Sequence, residues 1–286
     1  MDFNNQRIIQ NELSSIREAM QKSMPDNPAL WGWKSYCQCD EDGIINECLT
    51  RIAQTVSLNG TCLEIGCGNG TENNTHQLIL NGFKGIWVDG SASNISYIHD
   101  ILGSLSFDRL QILLSTMTLK NIDALIESSM SFFKNKFVDF LGVDIDGNDL
   151  PITRTILNSL TPKLICVEYN AKFPPPVALT VQYNQEHSWE NDDYFGASLQ
   201  AWVEALEEYR LVCCNLSGCN AFFVHQAYSS VFTSYSVEKL YQPQRFWLAL
   251  ERLGHQPSLK WLRQVLNEPE KRMFFRLNNF KSTYIS

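Results

Sequence analysis

The chain has 286 residues, 44% of them hydrophobic, with a formal charge of -8 at pH 7 and a pI near 5.2. That content supports a sizeable core in one large domain with extensions, or at most two small domains. The acidity excludes a general nucleic-acid binder, which needs a basic face to displace counterions from phosphates. The N-terminus, MDFNNQRIIQNELSSIREAM, is too polar for a signal peptide, and nowhere do eighteen apolar residues run together, so no membrane span is expected. The nine cysteines are odd in number and scattered, with Cys62, Cys166 and Cys213 inside apolar runs. They suit the reduced thiols of a cytoplasmic protein better than a disulfide scaffold. Cys37, Cys39 and Cys48 lack paired C-x-x-C spacing, and the five histidines form no H-E-x-x-H, which argues against zinc. Charge is uneven: residues 238–286 hold nine Lys or Arg against four acids, so the tail is suited to an anionic partner or to the acidic body.

In chain order, Ile8, Ile9, Leu13, Ile16 and Met20 recur at helical spacing and predict an amphipathic helix ending before Pro25 and Pro28. A loop with Trp31, Trp33 and Tyr36 follows. Residues 38–45 then open a helix reaching about 56, whose acids in the first turn match the positive end of the helix dipole; capping accounts for them as well as ligand contact does. Residues 61–75, TCLEIGCGNGTENNT, read as an apolar strand entering a turn with Gly66, Gly68 and Gly70, where the missing Cβ permits sharp turning and close approach to a ligand. A second apolar run, 85–88, ends at Asp89, a carboxylate placed to accept both ribose hydroxyls of a nucleoside. The spacing E-x-G-x-G-x-G differs from the dinucleotide fingerprint G-x-G-x-x-G, and no basic residue stands nearby for a pyrophosphate. An ordinary tight turn after a strand is the plain alternative.

A helix over 92–105, a strand over 110–115 and a helix over 121–129 come next. Residues 137–144 form a nearly continuous apolar run, the pattern of a parallel strand buried on both faces, and end in Asp144-Ile145-Asp146-Gly147-Asn148-Asp149. A helix over 151–160, with proline at its start, leads to a strand over 163–168 that closes in Glu168-Tyr169-Asn170. Residues 171–194 carry Pro174, Pro175 and Pro176 and then acidic and aromatic residues without periodicity, a segment long enough to be a lid. A helix follows, carrying Leu199, Trp202, Val203 and Leu206. Strands over 210–216 and 221–225 flank residues 217–220 as a hairpin. From 236 onward the chain reads as helical, with apolar clusters at 246–253 and 261–266.

Strands alternating with crossovers of this length demand an α/β fold with a parallel sheet, and ligands bind where such strands end. Glu64 with the glycines, Asp89, the Asp144 cluster and Glu168 all fall at strand ends and converge on one crevice. The expected organisation is a helical extension over 1–37, a main domain over 38–228 and a second helical extension over 229–286.

Taken in order, QCDEDGII at 38–45, EIGCGNGTENNT at 64–75, VDG at 88–90, VDIDGND at 143–149, CVEYN at 166–170 and NAFFV at 220–224 resemble the FkbM-type methyltransferases, in particular a bacterial branch often found with surface-glycan genes. The resemblance covers roughly residues 38–225. It implies a Rossmann-like class I methyltransferase fold, a mostly parallel seven-stranded sheet with an antiparallel last strand, S-adenosylmethionine as cofactor, and methyl transfer to oxygen on a small molecule or a glycan or nucleotide-sugar precursor. It assigns Glu64, Gly66, Gly68 and Asp89 to the cofactor, with Asn73, Thr75 and Asp144 as further candidates. Asp144 and Asp146 with Glu168 and Asn170 are also similar to metal-dependent O-methyltransferases of the catechol and macrolide-sugar types, where acids after the fourth and fifth strands hold magnesium. Those sugar enzymes have D-G-D and then two acids; this chain has Asp144-Ile145-Asp146 and then Glu168 with Asn170.

The resemblance implies Asp144, Glu168 and Asn170 as ligands of Mg2+, with Asp146, supported by Asp144, as the catalytic base. A metal lowers the pKa of a coordinated hydroxyl, and hard oxygens suit magnesium. Capping and turn formation are the competing account of the same acids. His187, Trp189 and Tyr194 are candidates for an acceptor pocket, and Phe195 for anchoring the loop to the core. His76, His99 and His255 give no sign of function, and Trp247 and Trp261 read as core or homodimer contacts. A methyltransferase-like binding or assembly protein without catalysis is the rival reading. Amino methylation of nucleic acid would want an N/D-P-P-Y sequence, which is absent, and the glycine spacing disfavours an NAD-dependent oxidoreductase.

Overall fold

The computed structural model describes residues 3–102, 108–249 and 256–267. Helix α1 (Phe3–Ser23) is followed by a 3-10 turn (Pro28–Trp31) and α2 (Glu41–Ile52). The alternating part runs β1 (Thr61–Ile65), α3 (His76–Leu80), β2 (Lys84–Asp89), α4 (Ala92–Leu102), β3 (Leu110–Leu114), α5 (Ile122–Phe133), β4 (Phe137–Val143), α6 (Asp149–Leu157) and β5 (Thr161–Glu168). After a long irregular segment come α7 (Leu199–Ala205), β6 (Tyr209–Cys214), β7 (Asn220–His225), α8 (Val237–Leu240) and α9 (Lys260–Asn267).

The strands form one seven-stranded sheet in the order β3-β2-β1-β4-β5-β7-β6. All neighbouring pairs are parallel except those made by β7, which runs antiparallel to both β5 and β6. This is the Rossmann-like class I methyltransferase arrangement expected from the sequence, and the β6–β7 hairpin explains the reversal: two strands joined by a short turn must pair antiparallel. Strand order reverses between β1 and β4, so the crevice beyond their C-terminal ends is where the chain leaves room for a ligand.

β1 is buried along its whole length and β4 everywhere except Phe137, as strands covered on both faces must be. Trp87, Phe140, Trp202, Phe222 and Phe223 are among the largest fully buried side chains of this core, and truncating one of them to alanine costs about 3–5 kcal/mol. Met20 and Met24 before the sheet, and Leu259, Leu262 and Val265 after it, join the same cluster. In α1, Met20 is buried whereas Ile8 is 61% exposed.

Several boundaries differ from expectation for local reasons. α6 begins at Asp149, two residues before Pro151, because the Asp149 carboxylate accepts the amides of Ile145 (2.8 Å) and Gly147 (2.7 Å) and so builds the turn that starts the helix. α7 begins at Leu199 after Ser198, whose side chain accepts the Ala201 amide. The chain beyond 236 is not continuously helical: residues 241–245 and 256–258 lie outside helices. Residues 103–105, the expected end of the 92–105 helix, together with 250–253 of the apolar cluster and His255, lie outside the described residues. Trp247 and Trp261 are about half exposed, at 49% and 53%, so neither is a core residue; Trp247 Nε1 donates to Glu12 Oε2.

The nine cysteines are all buried free thiols. No helix among the described residues is long and apolar enough to cross a membrane.

Candidate functional site

A cavity of about 480 Å3 opens at the β1/β4 switch point. Its floor is the glycine turn, one wall is the end of β2 with Val88, Asp89 and Gly90, and another is the Asp144–Asn148 turn with Glu168 from the end of β5. Gln38 from the segment before α2, Asn94 of α4, Ser115, Thr116 and Met117 after β3, and Gln185 and His187 from the long segment also line it.

The glycine turn is shaped by sterics. Gly66 has φ +89°, and a Cβ there would stand 1.6 Å from the carbonyl oxygen of Asp144, so only glycine lets the tips of β1 and β4 meet. Gly68 has φ +56° with open space where its Cβ would be, and its amide donates to Asp89 Oδ2 at 2.8 Å. The other Asp89 oxygen accepts the Ser91 amide (2.8 Å) and Asn94 Nδ2 (3.1 Å). Three donors fix this carboxylate at the cavity wall and leave it a lone pair for a ligand hydroxyl.

Glu64, Asn73 and Thr75 do not line the cavity. Glu64 is buried behind the turn, where it accepts the amides of Asn74 (2.7 Å) and Thr75 (3.0 Å) and the Thr75 hydroxyl. The Thr75 hydroxyl in turn accepts Trp87 Nε1 at 2.7 Å, and Asn73 Oδ1 accepts the His76 amide. Burial pushes Glu64 up to about 7, against the pull of those bonds. These residues hold the turn in place from behind.

His76, for which the sequence offered no role, belongs to this support. It is fully buried, stacks on Tyr36 at 3.7 Å between ring centroids, and its Nδ1–H donates to the Gly70 carbonyl at 2.7 Å. The acids in the first turn of α2 act similarly. Glu41 accepts the side-chain amides of Asn215 (2.6 Å) and Asn220 (2.9 Å) and the Cys39 amide (2.7 Å). One oxygen of Asp42 accepts the amides of Ser35, Tyr36 and Cys37. Both bind loop backbone or distant strands, as buried carboxylates must find donors. The motif at 38–45 thus fastens the N-terminal segment to the hairpin and delivers Gln38 to the cavity.

Opposite the glycine turn, Asp144, Asp146 and Glu168 bring one carboxylate oxygen each to within 4.8 Å of one another. Asp146 reaches the group from a left-handed backbone conformation, φ +55°. Asn170, expected as a third ligand beside Asp144 and Glu168, does not line the cavity. Its Nδ2 donates to the carbonyls of Asp193 (2.9 Å) and Phe195 (3.3 Å), and its Oδ1 accepts the Lys172 amide, so it fastens the long segment instead. Asp144 lines the cavity and is exposed to it. Burial, then the charges of Asp149 and Asp146, raise its pKa well above the carboxylate range. Glu168 is raised by burial and then by Asp144; Asp146 is raised by burial and partly relieved by His187.

Residues 171–198 lie over the Asp144–Asn148 turn. Asn148 and Asn184 exchange hydrogen bonds, Nδ2 to the Asn184 carbonyl at 2.8 Å and the Asn184 amide to Oδ1 at 3.2 Å. The His187 ring lies against Gly147, where a Cβ would stand 2.1 Å from it, and its Nε2–H donates to the Asp146 carbonyl at 3.2 Å. Of the three expected acceptor residues, His187 lines the cavity. Trp189 and Tyr194 do not: both are exposed, and Tyr194 borders a smaller pocket of about 170 Å3 with Leu179, Val181 and Phe195. Trp189 meets Phe195 edge-on, and Tyr194 meets His187 at 6.1 Å.

No protein-family model matches the chain, and no curated protein does. Among solved structures it is similar to the plantazolicin methyltransferase BamL, in complex with a desmethyl analogue and SAH, at 15% identity and a TM-score of 0.36, covering 68% of this chain and 66% of that one. An O-methyltransferase from Bacillus cereus in complex with SAH overlaps at 15% identity and a TM-score of 0.37, over 62% of this chain and 78% of that one. CalS10, an amino pentose methyltransferase from Micromonospora echinaspora involved in calicheamicin biosynthesis, overlaps at 10% identity and a TM-score of 0.39, over 68% and 92%. At these values the likeness adds nothing to what the sheet order shows.

Proposed function

We propose that the chain is an S-adenosylmethionine-dependent methyltransferase that methylates a hydroxyl of a small molecule or glycan precursor. The observation that carries this reading is the meeting of Gly68, Asp89 and Asp144 around one cavity at the switch point of this sheet. The open space above Gly68 admits the cofactor close to the backbone, and Asp89 keeps acceptor capacity for the ribose hydroxyls. Val88, Gly90 and Met117 offer the flat, less polar wall that an adenine ring wants. Glu64, Asn73 and Thr75 serve the same site from behind by holding the turn.

When bound, the cofactor supplies an electrophilic methyl group. What remains for the protein is to align the acceptor oxygen with it and take up the hydroxyl proton. Asp146 is placed for that beside Asp144, and its raised pKa makes it a stronger base than a carboxylate in water. The three-carboxylate group also fits a hard divalent cation such as magnesium, whose ligands sit 2.0–2.6 Å from the ion. Asp144, Asp146 and Glu168 would hold it, and it would lower the pKa of a bound hydroxyl.

The test is calorimetric titration with S-adenosylhomocysteine, with and without magnesium. Saturable binding is expected, weakened about 10- to 100-fold in Asp89→Ala by loss of a charge-assisted hydrogen bond pair. A wild-type protein that binds no adenosyl ligand under either condition sinks the enzyme reading.

A further inference from the structure

The loop that leads into α2 is pinned at nearly every residue. Asp42 Oδ2 accepts the amides of Ser35 (2.6 Å), Tyr36 (2.7 Å) and Cys37 (3.1 Å), Glu41 Oε2 accepts that of Cys39 (2.7 Å), and the Trp33 carbonyl accepts the Gly43 amide (3.1 Å). Toward the glycine turn, the Tyr36 carbonyl accepts the Asn73 amide at 3.1 Å. Cys37 and Cys39 are buried on either side of Gln38, whereas Gln38 is exposed and lines the cavity. Its carbonyl accepts Lys34 Nζ, but no group among the described residues binds its side-chain amide. Two buried acids thus hold a free carboxamide at one place in the wall.

That place follows from the sheet order. Met117 lies after β3 and Asp89 after β2, so a cofactor with its adenine and ribose there carries its amino-acid end over β1 and β4, where Ile65, Gly66 and Gln38 line the wall. That end bears a carboxylate, which needs donors once water leaves. Among the described residues lining the cavity none is Lys or Arg, and the amides of the glycine turn are taken: Gly66 and Cys67 donate to the Val88 carbonyl, Gly68 to Asp89 and Gly70 to the Cys67 carbonyl. Asn94 is bound to Asp89, and Asn148 and His187 are bound to the carbonyls of Asn184 and Asp146. Ser115 and Thr116 stand beside Met117 at the adenine end, and Gln185 follows Asn184 on the Asn148 side. Gln38 is the free donor nearest the glycine turn.

We propose that Gln38 is a cofactor-binding residue whose side-chain amide donates to the carboxylate at the amino-acid end of S-adenosylmethionine. This rests on the methyltransferase reading above and adds one residue to its cofactor site. It also gives the motif at 38–45 a purpose, because a loop already fixed by Glu41 and Asp42 loses little freedom when Gln38 meets the ligand.

The experiment is calorimetric titration of the full chain, as wild type, Gln38→Ala and Gln38→Glu, with S-adenosylhomocysteine and with its analogue lacking the carboxylate. Gln38→Ala is expected to weaken S-adenosylhomocysteine about tenfold, as loss of one charge-assisted hydrogen bond does, and to leave the analogue within about twofold. Gln38→Glu has no donor and adds like charge, so it should weaken S-adenosylhomocysteine further and the analogue not at all. Melting temperatures of the three unliganded proteins should agree within about 2 °C, since the exchanged side chain is exposed. Unchanged S-adenosylhomocysteine affinity in Gln38→Ala overturns the proposal, as does an equal loss for both ligands; in either case wild-type binding keeps the methyltransferase reading. If the wild type binds the analogue too weakly to measure, the loss in Gln38→Ala alone decides. A wild-type protein that binds no S-adenosylhomocysteine overturns that reading and the proposal with it.

Discussion

Gly66 and Gly68 occupy one turn and both have positive φ, yet they answer different demands. At Gly66 the obstacle is backbone: a methyl group would overlap the Asp144 carbonyl, and neither strand tip can move away while β1 and β4 stay paired. Gly66→Ala is therefore expected to cost more than about 4 kcal/mol and yield little folded protein. At Gly68 the space is open, so Gly68→Ala adds only the strain of a left-handed conformation, about 1–2 kcal/mol. Its methyl group would stand on the cavity floor. Thermal melting should show a shift of a few degrees, and calorimetry a weakened S-adenosylhomocysteine, the reverse of what two equivalent turn glycines would do.

Among the elements, β4 and β5 are joined at their lower ends by a buried ion pair, Lys163 Nζ to Asp139 Oδ1 at 2.6 Å. Asp139 also accepts the amides of Asn59 (3.1 Å) and Thr61 (3.0 Å), so it ties the entry of β1 to the same point. Removing the lysine strands a buried carboxylate. Lys163→Met is expected to lose about 3–5 kcal/mol in urea unfolding, and a loss below 1 kcal/mol would show that the two amides suffice. At the opposite end of the sheet, the segment over the site is held by the Asn148–Asn184 exchange. Asn148→Ala should speed hydrogen exchange of residues 182–190 by about tenfold, the equivalent of one or two lost hydrogen bonds, with β4 and β5 unchanged. Equal protection in both proteins would place the docking elsewhere.

For the molecule as a whole, the buried acids set the pH dependence of stability. Asp40 is pushed up to about 7 by burial and then by Glu41, against the pull of Arg17, and Glu64 reaches about 7 by burial. Asp42 is raised by burial as well, despite three backbone donors. Each raised acid holds its proton more tightly folded than unfolded, so its contribution is complete below the ordinary carboxylate range near 4 and is lost as pH rises through its folded value, about 7 for Asp40 and Glu64. The two surface acids that shift downward, Asp193 and Glu238, are exposed and weigh little. Urea midpoints are therefore expected to fall from pH 5 to pH 8, and Glu64→Gln to flatten that slope. A midpoint that climbs over this interval contradicts the assignment.

Strand positions, the parallel order and the convergence of acids on one crevice were legible in the sequence, because apolar runs, glycine spacing and strand ends are local properties. The residues Gly66, Gly68, Asp89, Asp144 and Asp146 could be picked from the chain for the same reason, each standing beside a recognisable turn or strand end, and His187 because it belongs to a segment too long for a simple connection. What they face was not legible. Glu64 and Asp89 both close or precede a strand end, but Glu64 turns behind the glycine loop to Thr75 while Asp89 faces the cavity. Asn170 follows Glu168 by two residues, yet the path of the long segment draws its amide to Asp193 and Phe195. Asp146 takes its place near Asp144 because the turn puts it in a left-handed conformation, which aspartate tolerates and no periodicity announces. His76 gains its purpose only when Tyr36, forty residues earlier, folds onto it. The sequence by itself determined the sheet and the shortlist, through short-range backbone and hydrophobic preferences; the tertiary structure decided which side chains share the cavity, because that depends on contacts between segments far apart in the chain.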